Sequence, residues 1–338
     1  MDYQGKTVMV TGGAGFIGSH LCKYLMEHGA HVICIDNFST GSEKNIAQFI
    51  GNDNFDLIRD DVEEFLNPGV LVFFNRRKYL PLGLILKQVD MIFHLACPAS
   101  PVKYQTDMVK TISASTTGTY NMLAWAKELK APIVFTSTSE VYGDPVMEYQ
   151  DESYWGNVNP MGIRSCYDEG KRCAEALCFS FHRQYGVQAK VARLFNTYGP
   201  NMQPDDGRII SNFIIQALKG QPITVYGYGN QTRSYCYVDD TVRGLLALMD
   251  RPPYLRRDKL SAINLGNNKE CYTVSQVAEK VKKLTGSQSE IVHTDIPEDD
   301  PRQRRPVTEH ASTYLGWSPT VSFDEGLVKT IEYFKSII

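Results

Sequence analysis

The chain has 338 residues, 43% hydrophobic and 22% charged, with a formal net charge of -3. This is the makeup of an ordinary globular protein long enough for one large or two fused domains. The near-neutral balance gives no argument for nucleic acid or an anionic membrane as partner. No apolar run approaches the ~18 residues a membrane span needs. The eight cysteines (22, 34, 97, 166, 173, 178, 236 and 271) are scattered with no C-x-x-C pair, which predicts a reducing compartment and no metal site. No basic segment with an apolar core follows Met1, so a cytoplasmic protein is expected.

Residues 7–10 form a short apolar run that feeds into Thr11-Gly12-Gly13-Ala14-Gly15-Phe16-Ile17-Gly18, after which Ile17, Leu21, Leu25 and Met26 recur at helical spacing. Strand, glycine-rich turn and helix is the context in which backbone N–H groups receive a pyrophosphate at a helix N-terminus. A second run, residues 31–35, ends at Asp36. That is about 20 residues past the turn, where this fold places an acid on the adenosine ribose. An acid there repels a 2′-phosphate, so the expected cofactor is NAD. Residues 55–58 lead to Asp60-Asp61-Val62, and Asp61 is the expected partner of the adenine amino group.

Residues 91–96 read as a buried strand opening onto Cys97-Pro98-Ala99-Ser100-Pro101, and residues 108–130 as a long helix. Residues 133–136 are another strand, ending in Ser137-Thr138-Ser139-Glu140; a helix at about 166–185 and a strand at 190–194 close the series. Alternation of this kind predicts an α/β chain with a Rossmann-type, doubly wound parallel sheet over residues 1–195. Ligands belong at the C-terminal ends of its strands. Residues 196–338 are expected to form a smaller substrate-binding α/β domain that returns at least one strand to the sheet. It has helices at 208–219, 238–250 and 274–285, a strand at 223–226 and a charged, Pro-bounded loop at 297–306. Asp239-Asp240 reads as a helix N-cap. His94, on an apolar strand, reads as a core histidine with its bonds satisfied, and Tyr154 and Trp155 as packing.

Arg164-Ser165-Cys166-Tyr167-Asp168-Glu169-Gly170-Lys171-Arg172 sets Tyr167 and Lys171 on one helix face. A free Tyr titrates near ~10 and a free Lys near ~10.4, so neither alone is a base at neutral pH. A neighbouring cation favours the phenolate, and the pair then suits removal of an alcohol proton. Tyr-x-x-x-Lys arises often by chance and equally suits a solvated helix face. The dinucleotide fingerprint upstream is what gives it weight.

With these features in this order, the chain resembles an extended short-chain dehydrogenase/reductase acting on a nucleotide sugar. The resemblance is closest to the UDP-glucuronic acid decarboxylases. It is carried by residues 94–101, 136–145, 154–160, 165–172 and 192–200, and by Asp206-Gly207-Arg208, Gln231-Thr232-Arg233 and Asp299-Asp300-Pro301. It implies tightly bound, recycled NAD along Gly12, Gly15, Phe16, Ile17 and Gly18. The ribose is expected on Asp36 and Asn37 with Phe38, Ser39 and Thr40 nearby, adenine at Asp61 and Val62, and Leu95, Cys97, Thr197 and Arg208 around the cofactor. Tyr167 and Lys171 meet both cofactor and sugar. Tyr104, Asn196 and Arg233 contact the substrate, Arg304 faces its carboxylate, and Thr138 and Glu140 join Tyr167 and Lys171 in catalysis.

The implied reaction oxidises C4 of UDP-glucuronate, loses CO2 from the resulting β-keto acid and reduces C4 again to give UDP-xylose. A homodimer through a helix pair is also implied. A 4-epimerase needs only the Tyr and Lys, while a 4,6-dehydratase typically carries an Asp where Ser139 stands. Release of the 4-keto pentose, or a silent NAD-binding protein, are further readings. Glu140 alone also suits a surface carboxylate, and Arg302, Arg304 and Arg305 a solvated face. Two departures stand out: an apolar insertion with a basic centre at 67–85, and Ser113-Ala114-Ser115 where relatives carry Lys, Thr and Asn.

Overall fold

The computed structural model describes residues 2–64, 71–74, 78–81, 88–256 and 259–338. Seven short strands form the central sheet: β1 (Thr7–Thr11), β2 (His31–Ile35), β3 (Phe55–Ile58), β4 (Met91–His94), β5 (Ile133–Thr138), β6 (Ala189–Leu194) and β7 (Ala262–Leu265). Their order is β7-β6-β5-β4-β1-β2-β3, and every neighbouring pair is parallel. Such strands must be apolar on both faces, and β4, β5 and β7 are buried throughout. The chain reverses direction across the sheet between β1 and β4, which opens a crevice at their C-terminal ends.

Nine helices of six or more residues flank and extend this sheet among the described residues: α1 (Phe16–Glu27), α2 (Pro101–Thr106), α3 (Met108–Leu129), α4 (Ser165–Tyr185), α5 (Ile209–Leu218), α6 (Val238–Met249), α7 (Val274–Thr285), α8 (Glu309–Leu315) and α9 (Phe323–Ile337). The pleat divides the core. Met9, Ile33, Ile92 and Phe135 pack under Met122, Leu123, Ala174 and Cys178 of α3 and α4. Val8, Val10, Val32 and Val134 pack under Leu21 and Leu25 of α1 and Val242 and Leu245 of α6. Asp107 caps α3 by accepting from Lys110 N–H at 3.0 Å, and Lys130, the predicted last residue, is its left-handed C-cap. Thr273 and Gln276 form a capping box at α7.

The second half returns β7 beside β6 and builds a small three-stranded sheet from Tyr272–Thr273, Thr232–Arg233 and Gln303–Arg304. Its parallel register sets Arg233 opposite Arg304. Asp240 is no helix cap: α6 is capped at Tyr237, without a side-chain bond. The Asp240 carboxylate is fully buried and accepts from Thr320 N–H, Thr320 hydroxyl and Val321 N–H, each at 2.9 Å, tying α6 to the turn before α9. Tyr154 does pack, stacked on Tyr142, but Trp155 is 88% exposed. Of the insertion, Leu71–Phe74 and Lys78–Pro81 pair as an antiparallel hairpin; the rest of 67–85 lies outside the described residues. Among the described residues no helix is long and apolar enough to cross a membrane.

Candidate active site

A cleft of about 480 Å³ runs along the C-terminal ends of the strands. At one end lies the β1–α1 turn. Gly12 has φ +71°, and a Cβ there would sit 2.9 Å from Ala96 N. A Cβ on Gly18 would stand 2.1 Å from the Gly12 carbonyl, so the turn closes on the helix only if both stay glycine. Gly15 caps α1 with no side-chain bond, which leaves the helix N-terminus open to an anion. Gly12, Gly15, Phe16, Ile17 and Gly18 all line the cleft. These features fit the diphosphate of a dinucleotide.

Two acids, Asp36 and Asp61, line the cleft beyond this turn. Asp36 accepts from Ala14 N–H at 2.9 Å and Phe38 N–H at 2.8 Å, which locks the acid to the turn. Burial pushes its carboxyl up against those two bonds. Asn37 donates to Asp61 at 2.8 Å, and Lys110 pairs with Asp61 at 2.7 Å. Burial raises the Asp61 carboxyl, but the bonds from Lys110, Glu63 N–H and Asn37 prevail and hold it below its ordinary value. Asn37, Ser39, Thr40, Asp61, Val62, Leu95 and Cys97 line the cleft; Phe38 does not. Its backbone is left-handed at φ +59° and its ring lies 4.4 Å below the Arg59 guanidinium. His94 is buried between Thr11 Oγ1 at 2.7 Å and Thr119 Oγ1 at 3.1 Å, and burial lowers it to about 3, a neutral core histidine as expected. In the departing segment, Ser115 Oγ meets Cys97 Sγ at 3.1 Å.

The end of β5 and the start of α4 bring together the residues expected to carry the chemistry. Tyr167 is buried, its ring stacked at 4.9 Å and 3° on Tyr104, and its phenol bonds Thr138. Lys171 donates to Thr136 O at 2.9 Å, with Nζ 5.9 Å from the Tyr167 ring centre. Burial dominates both groups in the protein alone. It raises the Tyr167 phenol, the Thr138 bond and Arg208 charge opposing, and it lowers the Lys171 ammonium. The expected lowering of the phenol by Lys171 is therefore not what governs here.

Glu140 follows β5 in a 3-10 turn whose N-cap, Thr138, accepts from Glu140 N–H at 3.2 Å. Its Oε2 pairs with Arg164 at 2.5 Å and with Arg304 at 3.1 Å. Burial alone would raise this carboxyl, but the two guanidiniums outweigh it and hold it down at about 2. Arg304 is 1% exposed and does not line the cleft. It reaches the cleft only through its pairing with Glu140. The guanidinium beside Glu140 that does line the cleft belongs to Arg164.

Asn196, Thr197, Arg208 and Arg233 line the far end. Arg233 is anchored through Asp300 at 3.2 Å and Pro301 O at 2.6 Å. Thr197 Oγ1 is engaged by Phe195 O and Thr241 Oγ1, each at 3.0 Å.

Sequence reasoning assigned no role to Arg164 or Tyr235, both of which line the cleft. It also gave none to the buried frame beneath β5. There Ser137 donates to Glu175 at 2.5 Å, Arg193 grips Glu175 at 2.9 and 2.7 Å, and Arg193 reaches Tyr142 Oη at 2.9 Å. No spacing rule marks these residues, because they meet only once β5, β6 and α4 are packed.

Residues 8–266 match the NAD dependent epimerase/dehydratase family. The chain is 50% identical to UDP-glucuronic acid decarboxylase 6 of Arabidopsis thaliana, over 97% of this chain and 88% of that one. It is 47% identical to UDP-glucuronic acid decarboxylase 1 of Xenopus tropicalis, over 98% and 72%. Among solved structures, UDP-glucuronic acid 4-epimerase from Bacillus cereus, in complex with UDP-glucuronic acid and NAD, superposes with a TM-score of 0.83. It is 28% identical and covers 98% of this chain and 100% of that one. Sequence likeness over nearly the full length and the geometry of the cleft agree: the chain belongs to the NAD dependent epimerase/dehydratase family and, within it, to the UDP-glucuronic acid decarboxylases.

Proposed function

We propose that the chain converts UDP-glucuronate to UDP-xylose, with NAD retained and regenerated in each turnover. The observation that carries this reading is the Glu140 carboxylate clamped between Arg164 and Arg304, one turn from the Tyr167–Thr138 pair. Oxidation of an alcohol needs the Tyr and Lys alone, whereas a cluster of opposed charges beside them suits a substrate that carries its own carboxylate.

Bound NAD supplies the hydride acceptor and donor at the sugar C4. Tyr167 Oη moves the C4 hydroxyl proton, with Thr138 orienting the phenol and Lys171 adding a cation on the same helix face. The ketone at C4 makes the C6 carboxylate a β-keto acid, and loss of CO2 leaves negative charge on the C4 oxygen, to which the Tyr167 hydroxyl donates; C5 then takes a proton from water, which restores the C4 ketone for reduction. Glu140, held as an anion, is a poor proton donor near neutrality. Its role is to place the substrate carboxylate, with Arg164 as the cation that meets it. Arg208 and Arg233 face the diphosphate of UDP, with Tyr104 and Asn196 beside the sugar. The chain pairs with a second copy through α3 and α4; Val109 and Tyr120 of α3, 77% and 51% exposed, support that face.

The test is incubation with UDP-glucuronate and NAD+, the product identified by NMR. UDP-xylose with released CO2 is expected. The C4 epimer with its carboxylate intact would overturn the reading. A 4-keto pentose accumulating with NADH would overturn the final reduction.

A further inference from the structure

Outside the cleft, Asp151, Glu152 and His310 each present a donor atom, all within 4.8 Å of one another. Carboxylate clusters are common on protein surfaces, but this one encloses an orphan. The Glu152 side chain is fully buried; Oε1 accepts from Asn264 N–H at 2.8 Å, while Oε2 has no hydrogen-bond partner. Leaving a buried carboxylate oxygen unbonded is costly. It faces His310 Nε2 at 3.9 Å, too far for a hydrogen bond. The imidazole is already oriented, its Nδ1 being 2.8 Å from Tyr254 Oη. With Nδ1–H donating to that oxygen, Nε2 turns its lone pair toward the two carboxylates. Asp151 is fixed by Ser153 N–H at 2.8 Å and by Arg256 at 3.3 Å.

We propose that Asp151, Glu152 and His310 bind a divalent ion of the zinc class. One imidazole and two carboxylates suit that borderline metal, with a water in the fourth position. Donors about 2.1 Å from a tetrahedral ion lie about 3.4 Å apart, so the present spacing closes by roughly an ångström around it. Side chains of Asp151 and His310 are 32% and 23% exposed, which gives the ion a route in from solvent. The cysteine spacing could not announce such a site, because its donors come from two segments far apart in the chain. The ion ties residues 151–152 to the start of α8. The intervening strand is held by Gln150, which bonds Arg305 N–H at 2.7 Å and Val307 N–H at 2.9 Å. That strand carries Arg304, so the ion braces the clamp on Glu140 from behind.

The test uses the full chain, stripped with a chelator and titrated with Zn2+ and Co2+. The wild type is expected to bind one equivalent, with a thermal midpoint raised by several degrees and a Co2+ absorption spectrum of nitrogen and oxygen donors. His310→Gln and Asp151→Asn are each expected to weaken binding about tenfold or more and to lose that shift, each read against its own metal-free midpoint, while keeping the circular dichroism of the wild type. Equal binding in either variant, thiolate-to-cobalt charge transfer from the scattered cysteines, or no saturable binding by the wild type would overturn the proposal and leave an ordinary histidine–carboxylate pair.

Discussion

Replacing Glu140 by Gln removes the anion between Arg164 and Arg304 while keeping its size and the bond its backbone N–H donates to Thr138. A carboxyl held at about 2, where an ordinary one stands at 4.5, prefers its ionised form by about 3 kcal/mol. The cost of deleting one partner of a buried pair, about 3–5 kcal/mol, agrees, since Arg304 is 1% exposed. Part of the loss is recovered next door. Asp168 is buried with an unbonded oxygen, and its carboxyl is pushed up to about 8 by burial and then by the Glu140 charge, against Arg164 and Arg304. Without Glu140 it ionises at lower pH and returns a negative charge to the cluster. A net loss of about 2–3 kcal/mol is expected, or a fall of roughly 3–4 °C in the thermal midpoint of a chain this long. A depressed carboxyl stabilises the fold above its unfolded value, and that contribution disappears as pH falls through its folded value. Glu140's own contribution to the gap between wild type and E140Q is thus full at pH 7 and is lost between pH 4.5 and about 2. In a single turnover with UDP-glucuronate, NADH should form at a rate near the wild type and persist, because CO2 release is what slows. Equal falls in NADH formation and CO2 release would refute the assigned role, and a stability gap unchanged at low pH would refute the charge argument.

Tyr167→Phe should keep NAD+ affinity, measured by calorimetry, and lower turnover by about 10²–10⁴; a smaller loss would mean another base serves C4. Asp168→Asn should stabilise the protein at high pH. The folded carboxyl holds its proton to about 8 while the unfolded one releases it near ~3.9, so wild-type stability falls across that window. The variant's midpoint should exceed the wild type's above the window and not below it, read by thermal melts across pH. Gly18→Ala drives a methyl to 2.1 Å from the Gly12 carbonyl. Such overpacking costs about 1–3 kcal/mol, which here distorts the turn and should weaken NAD+ binding about ten- to hundredfold. Unchanged affinity would detach the turn from the cofactor.

The sheet was legible because parallel strands need apolar residues on both faces, and short runs such as residues 31–35 and 133–136 can satisfy little else. The fingerprint was legible because its glycines answer to close contacts, as at Gly12 and Gly18. Phe38, placed beside the ribose by the sequence, sits among cleft-lining neighbours without lining the cleft itself, and no neighbour in the sequence signals its left-handed φ. Asp240 looked like a cap because a carboxylate at a helix start usually is one; its true partners, Thr320 and Val321, are reached only after α9 docks. Arg304 was expected at the substrate, and Arg164 was given no role, for a similar reason. Both are arginines near polar segments, and only the tertiary fold decides which stands in the cleft and which behind Glu140.

That difference changes how the site is coupled to the rest of the molecule. Arg304 reaches Glu140 because Gln303–Arg304 pairs with Thr232–Arg233, and because Gln150, fully buried, holds the following residues on the other side. Arg233 is anchored by Asp300 and Pro301, on the same segment. Docking residues 300–307 therefore does two things at once. It fixes a cleft arginine at the far end, and it sets the charge of the carboxylate at the reacting end. Before it docks, Glu140 lacks one of its two counter-cations and Arg233 lacks its anchors. The carboxylate at the end of β5 is thus paired by a segment some 160 residues downstream, and by linkage the stability of that segment and the ionisation of Glu140 are coupled.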